Sequence, residues 1–194
     1  MRKIAAFDFD GTLTNKDSLL EFIRYVFGTW RLWCGFLLHT PMLVLMLLKC
    51  YDHSKAKEKI FSYFFKGMPV GDFDEWCQRF AHDNRAILRP QGVDTIQQAI
   101  KEGTEVVIIS ASIDNWVQPF FPQVKVLGTQ AEVKDGKLTG RFLTANCFGH
   151  EKVNRLLAVY PQRSDYYLTA YGDSEGDKEL LVFADESYYK PFRL

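Results

Sequence analysis

The chain has 194 residues, of which 47% are hydrophobic and 25% are charged, a composition typical of folded globular proteins and not of disordered or fibrous ones. This length allows one buried core with at most a small inserted unit. Lys and Arg number 24, as do Asp and Glu, so the balanced charge gives no reason to expect a nucleic acid as partner.

Cysteine usage and the first residues indicate the compartment. The four cysteines are far apart and form no C-x-x-C pair, so we expect reduced thiols, mostly buried. Asp8 interrupts the first apolar run too early for the core of a signal peptide. Both features favour a cytoplasmic location.

The first half of the chain predicts one strand followed by helices. Residues 4–9 form a short apolar run that ends in Asp10-Gly11-Thr12, as a buried strand leading into a tight turn would. Residues 17–84 then show helical periodicity and no strand-like alternation. Three helices are expected there, over residues 19–27, 55–65 and 72–84, with starts at Asp17 or Ser18, at Ser54 and at Asp72.

The second half predicts alternating helices and strands. We expect helices over residues 93–102, 150–160 and 179–184, strands over residues 105–109, 124–127 and 166–170, and a β-hairpin over residues 130–144 that turns at Asp135-Gly136. Such alternation is typical of a parallel α/β sheet, whose functional loops gather at the carboxyl ends of its strands. Asp8, Asp10, Ser110 and Asp173 all fall at such ends.

Asp8 and Asp10 place two carboxylates two residues apart at the end of a strand, where both can face one point. That arrangement suits a nucleophile and an acid, although Asp and Gly are also common in solvated turns. The helical insertion follows this loop directly, so it is expected to lie above the site as a lid.

Four motifs occur in the order found in the haloacid dehalogenase-like (HAD) superfamily. Asp8-Phe9-Asp10-Gly11-Thr12 resembles its first motif, and the second, third and fourth are matched by Val106-Val107-Ile108-Ile109-Ser110, Gly149-His150-Glu151-Lys152 and Gly172-Asp173-Ser174-Glu175-Gly176-Asp177. The helical insertion resembles that of subfamily IB, the phosphoserine-phosphatase-like group. The resemblance implies an α/β fold with a Rossmann-like parallel sheet core, residues 1–14 and 89–194, and a helical C1 cap, residues 15–88.

The resemblance also implies a magnesium-dependent phosphatase that acts through an aspartyl-phosphate intermediate. Asp8 would be the nucleophile, since a carboxylate is ionised at neutral pH, and Asp10 the general acid and base. Mg²⁺ would be held by the carboxylates of Asp8 and Asp173 and the backbone carbonyl of Asp10, with Asp177 orienting this shell from outside.

The remaining site residues follow from the same motifs. Ser110 and Lys152 would bind and neutralise the phosphate, and Thr12 and Ala111 belong to the same expected substrate-binding loops. Asp17 occupies the position of an acidic substrate-binding residue, with a shorter side chain. Without the motifs, Ser110 would be interpreted as a polar strand end and Lys152 as a solvated helix lysine.

Residues 30–48 of the cap form a long apolar run. A single membrane crossing there would place Asp8 and Asp173 on opposite sides of a bilayer, so it is excluded if they share a site. Pro41 is expected to break the run into two helices of about nine residues, too short to cross a membrane. The resulting helical hairpin has four alternative roles: the cap's own core, a membrane contact that would leave the protein membrane-associated, a groove for lipid tails, or a dimer interface.

The substrate is left open between two phosphatase classes. Ala111-Ser112 and Gly176 depart from the phosphoserine phosphatase pattern, whereas the apolar cap, residues 147–153 and the tail after Asp177 are similar to the phosphatidylglycerophosphatase C family. That similarity implies a phospholipid headgroup phosphate, such as phosphatidylglycerophosphate, and the alternative is a small soluble metabolite such as phosphoserine. A non-catalytic HAD-fold protein that binds a partner through its cap is the third alternative, and the oligomeric state is open.

Overall fold

The computed structural model describes residues 1–48 and 50–193. Its strands are β1 (Arg2–Phe7), β2 (Glu105–Ile113), β3 (Lys125–Thr129), β4 (Ala131–Lys134), β5 (Lys137–Phe142), β6 (Tyr166–Gly172) and β7 (Glu186–Tyr189). Its helices are α1 (Ser18–Leu47), α2 (His53–Phe65), α3 (Val70–Asp83), α4 (Pro90–Lys101), α5 (Asp114–Val117), α6 (His150–Val159) and α7 (Lys178–Phe183).

Five strands form one parallel sheet in the order β3-β2-β1-β6-β7. The predicted Rossmann-like parallel core is therefore confirmed. β1 lies at the centre of the sheet. Its residues are apolar on both faces, as expected for a strand that is covered on both sides. Ala5 and Phe7 face the helical region and Ile4 and Ala6 face the layer that contains α6 and α7.

β4 and β5 form a separate antiparallel hairpin, as the sequence predicts. Asp135 and Gly136 both adopt positive φ, 51° and 72°, which is the backbone that a tight hairpin turn between twisted strands requires. The hairpin packs on α2 and the segment after it: Leu138 exchanges backbone hydrogen bonds with Gly67 and Met68.

α1, α2 and α3 occupy the region in which helices are predicted. Asp17 caps α1 by accepting a hydrogen bond from the Leu20 N–H, at 3.0 Å. The predicted start at Ser54 is wrong, because Asp52 caps α2. α3 begins at Val70, two residues before Asp72, without a side-chain cap.

The predicted hairpin over residues 30–48 is also wrong. α1 continues through Pro41 and is broken instead at Gly28, whose φ of 80° and ψ of 162° lie outside the helical region. Pro41 and Leu37 are exposed, so the carbonyl four residues before Pro41, which loses its donor, belongs to a solvent-facing turn and can bind water. Among the described residues, no helix combines the length and apolarity that a membrane crossing needs.

The two chain segments that connect the helical region to the sheet run side by side. Thr14 and Leu88 form an isolated antiparallel bridge, and Arg89 donates its backbone N–H to the Leu13 carbonyl. One apolar cluster continues across this junction and includes Phe9, Phe22 and Trp116. The division into a core of residues 1–14 and 89–194 and a cap of residues 15–88 stays a prediction, and we keep these names for the two regions.

The cysteines are all free thiols, as expected. Cys77 and Cys147 are buried, Cys34 is half-buried and Cys50 is exposed, so the expectation of burial holds for two of the four.

Candidate active site

The site lies at the carboxyl edge of the parallel sheet. Asp8 directly follows β1, and its backbone N–H donates to the Tyr171 carbonyl of β6 at 2.9 Å. Ser110 lies in β2 and Asp173 directly follows β6. Because β1 is hydrogen-bonded to both β2 and β6, the three predicted loops meet at one point.

Lys152 is the buried cation of the site. It is 2% exposed, and its Nζ lies 2.5 Å from Asp8 Oδ1 and 2.5 Å from Asp177 Oδ1. Helix α6 brings it there because Val153 and Leu156 on the same helix pack against Ile4 and Ala6 of β1, on the sheet face opposite the cap. One ammonium is therefore paired with two buried carboxylates.

Burial and this pairing shift the three pKa values. Burial raises the pKa of Asp8 to about 7, although Lys152 opposes it. Burial disfavours the charged form of Lys152, but Asp8 and Asp177 outweigh it, so the pKa of Lys152 is raised. Burial alone would raise the pKa of Asp177, yet Lys152 and Ser174 hold it below its ordinary value. A second cation beside Asp8 would favour its ionised form further.

Carboxylate oxygens of Asp8, Asp173 and Asp177 all lie within 4.8 Å of one another. Such a buried cluster of hard oxygen donors fits the ligand preference of Mg²⁺. Asp177 accepts the most hydrogen bonds of the three: its Oδ2 alone accepts from the Asp173 N–H, the Ser174 N–H and the Ser174 hydroxyl. Those bonds fix the loop that carries Asp173.

Asp173 has two further partners. The Thr12 hydroxyl donates to its Oδ1 at 3.2 Å, and the Arg193 guanidinium pairs with its Oδ2. Arg193 is brought there by Phe192, a buried ring that stacks against Tyr171. The sequence gives no signal for Arg193, since it lies outside every motif.

The Asp10 carboxylate is held on the cap side of the loop. The Ser18 N–H donates to its Oδ1 at 2.7 Å, and the hydroxyls of Ser18 and Ser112 donate to its Oδ2 at 3.0 and 2.5 Å. Trp116 Nε1 donates in turn to the Ser18 hydroxyl at 3.1 Å. Burial raises the pKa of Asp10, as does the charge of Asp17.

Sequence reasoning missed Ser18 and Ser112 as partners of Asp10, and Trp116 as the partner of Ser18, because none belongs to a motif and their convergence depends on tertiary packing. A Ser-to-Asp spacing of eight residues, as between Ser18 and Asp10, is not a local signature. Gly11 is the clearest signal in the sequence for the tight loop after β1. A Cβ at Gly11 would stand 2.5 Å from an oxygen of Asp173, and its φ is +82°.

The other predicted substrate-binding residues lie around this centre. Ser110 is buried, and its Oγ accepts from the Ser112 N–H at 3.0 Å. The Ala111 carbonyl accepts from the Thr129 hydroxyl at 2.7 Å and from Lys57 Nζ at 2.9 Å. Asp17 is exposed and serves as the cap of α1.

A cavity of about 370 Å³ opens beside Asp17, Lys57 and Ala111. It lies between the cap and the core, and most of its lining is apolar. Its apolar lining comprises Leu19, Leu20, Phe36, Leu43, Met46, Ala56, Ile60 and Phe148. The cavity therefore borders two of the predicted substrate-binding residues, Asp17 and Ala111, and offers a space suited to an apolar group.

Comparisons with known proteins agree with the motifs. The sequence profile of the haloacid dehalogenase-like hydrolases matches residues 5–181. "Protein CicA" of Caulobacter vibrioides is 36% identical over 198 residues, covering 98% of this chain and 86% of that protein. The chain belongs to the haloacid dehalogenase-like hydrolase family.

Two solved structures share the fold. A protein of unknown function from Bordetella pertussis Tohama I superposes with a TM-score of 0.83 at 22% identity, over 96% of this chain and 89% of that one. A substrate-bound phosphoserine phosphatase superposes with a TM-score of 0.63 at 18% identity, over 97% and 86% of the two chains. The predicted resemblance to the phosphoserine-phosphatase-like group is thus confirmed at the level of fold.

Proposed function

We propose that this hydrolase is a magnesium-dependent phosphomonoester phosphatase in which Asp8 forms an aspartyl-phosphate. The observation that carries the proposal is the buried group of Asp8, Lys152 and Asp173 beside Asp10. It combines a carboxylate nucleophile, a fixed cation and further oxygen ligands at one sheet edge. The likeness to a phosphoserine phosphatase fold supports the same reaction class.

The carboxylates of Asp8 and Asp173, with the Asp10 carbonyl, would hold Mg²⁺, and Asp177 would orient Lys152 and the Asp173 loop. When bound, this cation offsets the repulsion between the carboxylate nucleophile and the phosphate and polarises the phosphorus. Lys152 adds a positive charge next to the attacking oxygen.

The first half-reaction joins an Asp8 carboxylate oxygen to phosphorus and breaks the ester P–O bond. Asp10 donates its proton to the departing alkoxide, which leaves as an alcohol. The raised pKa of Asp10 suits this role, since it favours the protonated form that a general acid requires. Ser18 and Ser112 hold its carboxyl group in one orientation for the transfer.

The second half-reaction hydrolyses the aspartyl-phosphate. A water oxygen attacks phosphorus while Asp10, now ionised, accepts its proton, and the P–O bond to Asp8 breaks. Inorganic phosphate leaves and the Asp8 carboxylate is restored. Ser110, Thr12, Ala111 and Lys152 belong to the loops that would surround the phosphate.

The apolar cavity favours a substrate whose alcohol has an apolar part, and a phospholipid headgroup phosphate meets that requirement. The outer face of α1 supports membrane contact by the cap, because Trp30, Trp33 and Leu37 are 79%, 66% and 77% exposed. Exposed aromatic and aliphatic side chains on one helix are typical of membrane-surface helices. A small soluble ester such as phosphoserine is the alternative substrate.

The reaction is tested with an aryl phosphate in Mg²⁺ and in chelator. Asp8→Asn should abolish turnover and the acid-labile phosphoenzyme seen by mass spectrometry, because an amide cannot form the acyl phosphate. Asp165→Asn, a change at an exposed aspartate, is the matched control and should leave turnover unchanged. Turnover that persists in a deamidation-free Asp8→Asn sample, or in chelator, contradicts the mechanism.

Wild-type protein without turnover on any ester would instead favour the non-catalytic binding protein. The substrate class is tested by comparing lipid phosphate in mixed micelles with phosphoserine. Replacing Leu37 and Leu45 by Lys should weaken liposome binding and lipid turnover while sparing the soluble ester, because both side chains are exposed. Equal lipid turnover by wild type and this variant would exclude the α1 face as the membrane contact.

A further inference from the structure

Lys57 of α2 is a cap residue that reaches the core. Its Nζ donates to the Ala111 carbonyl at 2.9 Å, from the cap to the carboxyl end of β2. The neighbouring lysines of the same helix, Lys55 and Lys59, are exposed, whereas Lys57 is half-buried. Helix phase therefore selects one of three alternating lysines to face the site.

Lys57 carries a charge that the protein does not neutralise by direct contact. Within residues 1–48 and 50–193, no carboxylate oxygen lies within 4.0 Å of its Nζ, and Ala111 is its one hydrogen-bond acceptor. An ammonium has three donors. Lys152 differs, because it is paired directly with two carboxylates.

Acidic residues lie near Lys57, but none of their carboxylates pairs directly with its ammonium. Burial lowers the pKa of Lys57, and the charges of Asp10, Asp17 and Asp8 oppose that effect. A partly desolvated ammonium gains from an anionic partner at hydrogen-bond distance. An anionic oxygen placed between Lys57 and the phosphate site would supply that partner.

Lys57 also lines the apolar cavity, together with Asp17 and Ala111. An ester that has its phosphorus at Asp8 and its alcohol in this cavity would therefore have its alcohol next to Lys57.

We propose that Lys57 is a specificity-determining residue that binds an anionic oxygen of the phosphate ester from the cap side. This inference rests on the proposed phosphatase function. The oxygen belongs either to the transferred phosphate or to a second anionic group of the alcohol, and the test separates the two.

The test measures the KM of an aryl phosphate and the inhibition constants of inorganic phosphate, glycerol 3-phosphate and 3-phosphoglycerate. The last two differ by one carboxylate in place of a hydroxymethyl group. The variants are Lys57→Met, Lys57→Gln and the control Lys55→Met. Lys57→Gln keeps a donor for Ala111 but removes the charge, and it stands in if the Met variant does not fold.

Loss of the charge should weaken binding about tenfold or more, as expected for a hydrogen bond to a charged group. If all four constants rise together, Lys57 binds the transferred phosphate. If 3-phosphoglycerate alone weakens, Lys57 binds the second anion. Lys55→Met should match the wild type throughout.

The proposal is overturned if both Lys57 variants keep all four constants within twofold of the wild type. A fall in kcat or thermal stability with unchanged binding would also overturn it, since Lys57 would then only join the cap to Ala111. If the wild type hydrolyses no ester, the proposed phosphatase function is refuted, but the proposed role of Lys57 is not. Calorimetric binding of inorganic phosphate and of 3-phosphoglycerate to the wild type and to Lys57→Gln still tests Lys57, and equal affinities of the two proteins for both ligands would refute its role.

Discussion

Replacing Lys152 by Met tests the buried charge cluster directly. The change keeps most of the side-chain volume but removes the ammonium that lies 2.5 Å from both Asp8 and Asp177. Leaving a buried partner uncompensated costs about 3–5 kcal/mol. For a chain of this length such a loss lowers Tm by about 7–12 °C.

The loss of stability caused by Lys152→Met should depend on pH. Without the ammonium, the pKa of Asp8 rises beyond its present value of about 7, so Asp8 takes up a proton in mildly acidic solution and relieves the repulsion. The loss of stability should therefore be larger at pH 8 than at pH 6. Adding Asp177→Asn to Lys152→Met removes one carboxylate and should restore part of the stability.

Urea or thermal unfolding followed by circular dichroism measures these differences. The control is Lys178→Met, which removes an exposed pairing with Glu175 and should shift stability by less than about 0.5 kcal/mol. A Lys152→Met variant as stable as this control at pH 8 would refute the view that Lys152 compensates two buried charges.

Three further predictions concern the first loop. Asp10→Asn should slow hydrolysis of an alkyl phosphate far more than that of an aryl phosphate, because a good leaving group needs less protonation; equal losses in kcat would argue against the acid role. Gly11→Ala should destabilise the fold by about 1–3 kcal/mol and weaken Mg²⁺ binding measured by calorimetry, because its Cβ would collide with the Asp173 carboxylate. Metal-free wild type should lose stability as pH rises from about 4 to about 7 by up to about 1.4 kcal/mol per unit, because the raised pKa of Asp8 lets the folded state keep a proton that the unfolded state releases. That stabilisation is complete below the ordinary pKa and absent above pH 7, and an identical pH profile for Asp8→Asn in thermal scans would show that another group causes it.

The parallel core was predictable because its signals are local. β1 and β2 begin as apolar runs that lead directly to a polar motif residue, Asp8 after β1 and Ser110 within β2. Lys152 was predictable only through the motif, because its neighbours in sequence give it the appearance of an ordinary helix lysine. Its burial depends on the sheet edge that it meets.

Other features depend on tertiary context that the sequence does not display. Helix α1 passes Pro41 because that turn is exposed, and it breaks at Gly28 because glycine tolerates the positive φ there. β7 was not predicted, since its four residues are exposed and show no alternation of apolar and polar side chains. Lys57 differs from Lys55 only in helix phase.

The bridge between Thr14 and Leu88 has a consequence for the order of folding. β1 must pair with β2 about a hundred residues later, and closing such a loop is entropically costly and slow. The cap helices are local structures, and once they form, the bridge brings the end of β1 towards the segment that precedes β2. We therefore expect pulsed hydrogen exchange to show protection in α2 and α3 before β1, so that the inserted region acts as an internal template for the sheet that surrounds it in sequence.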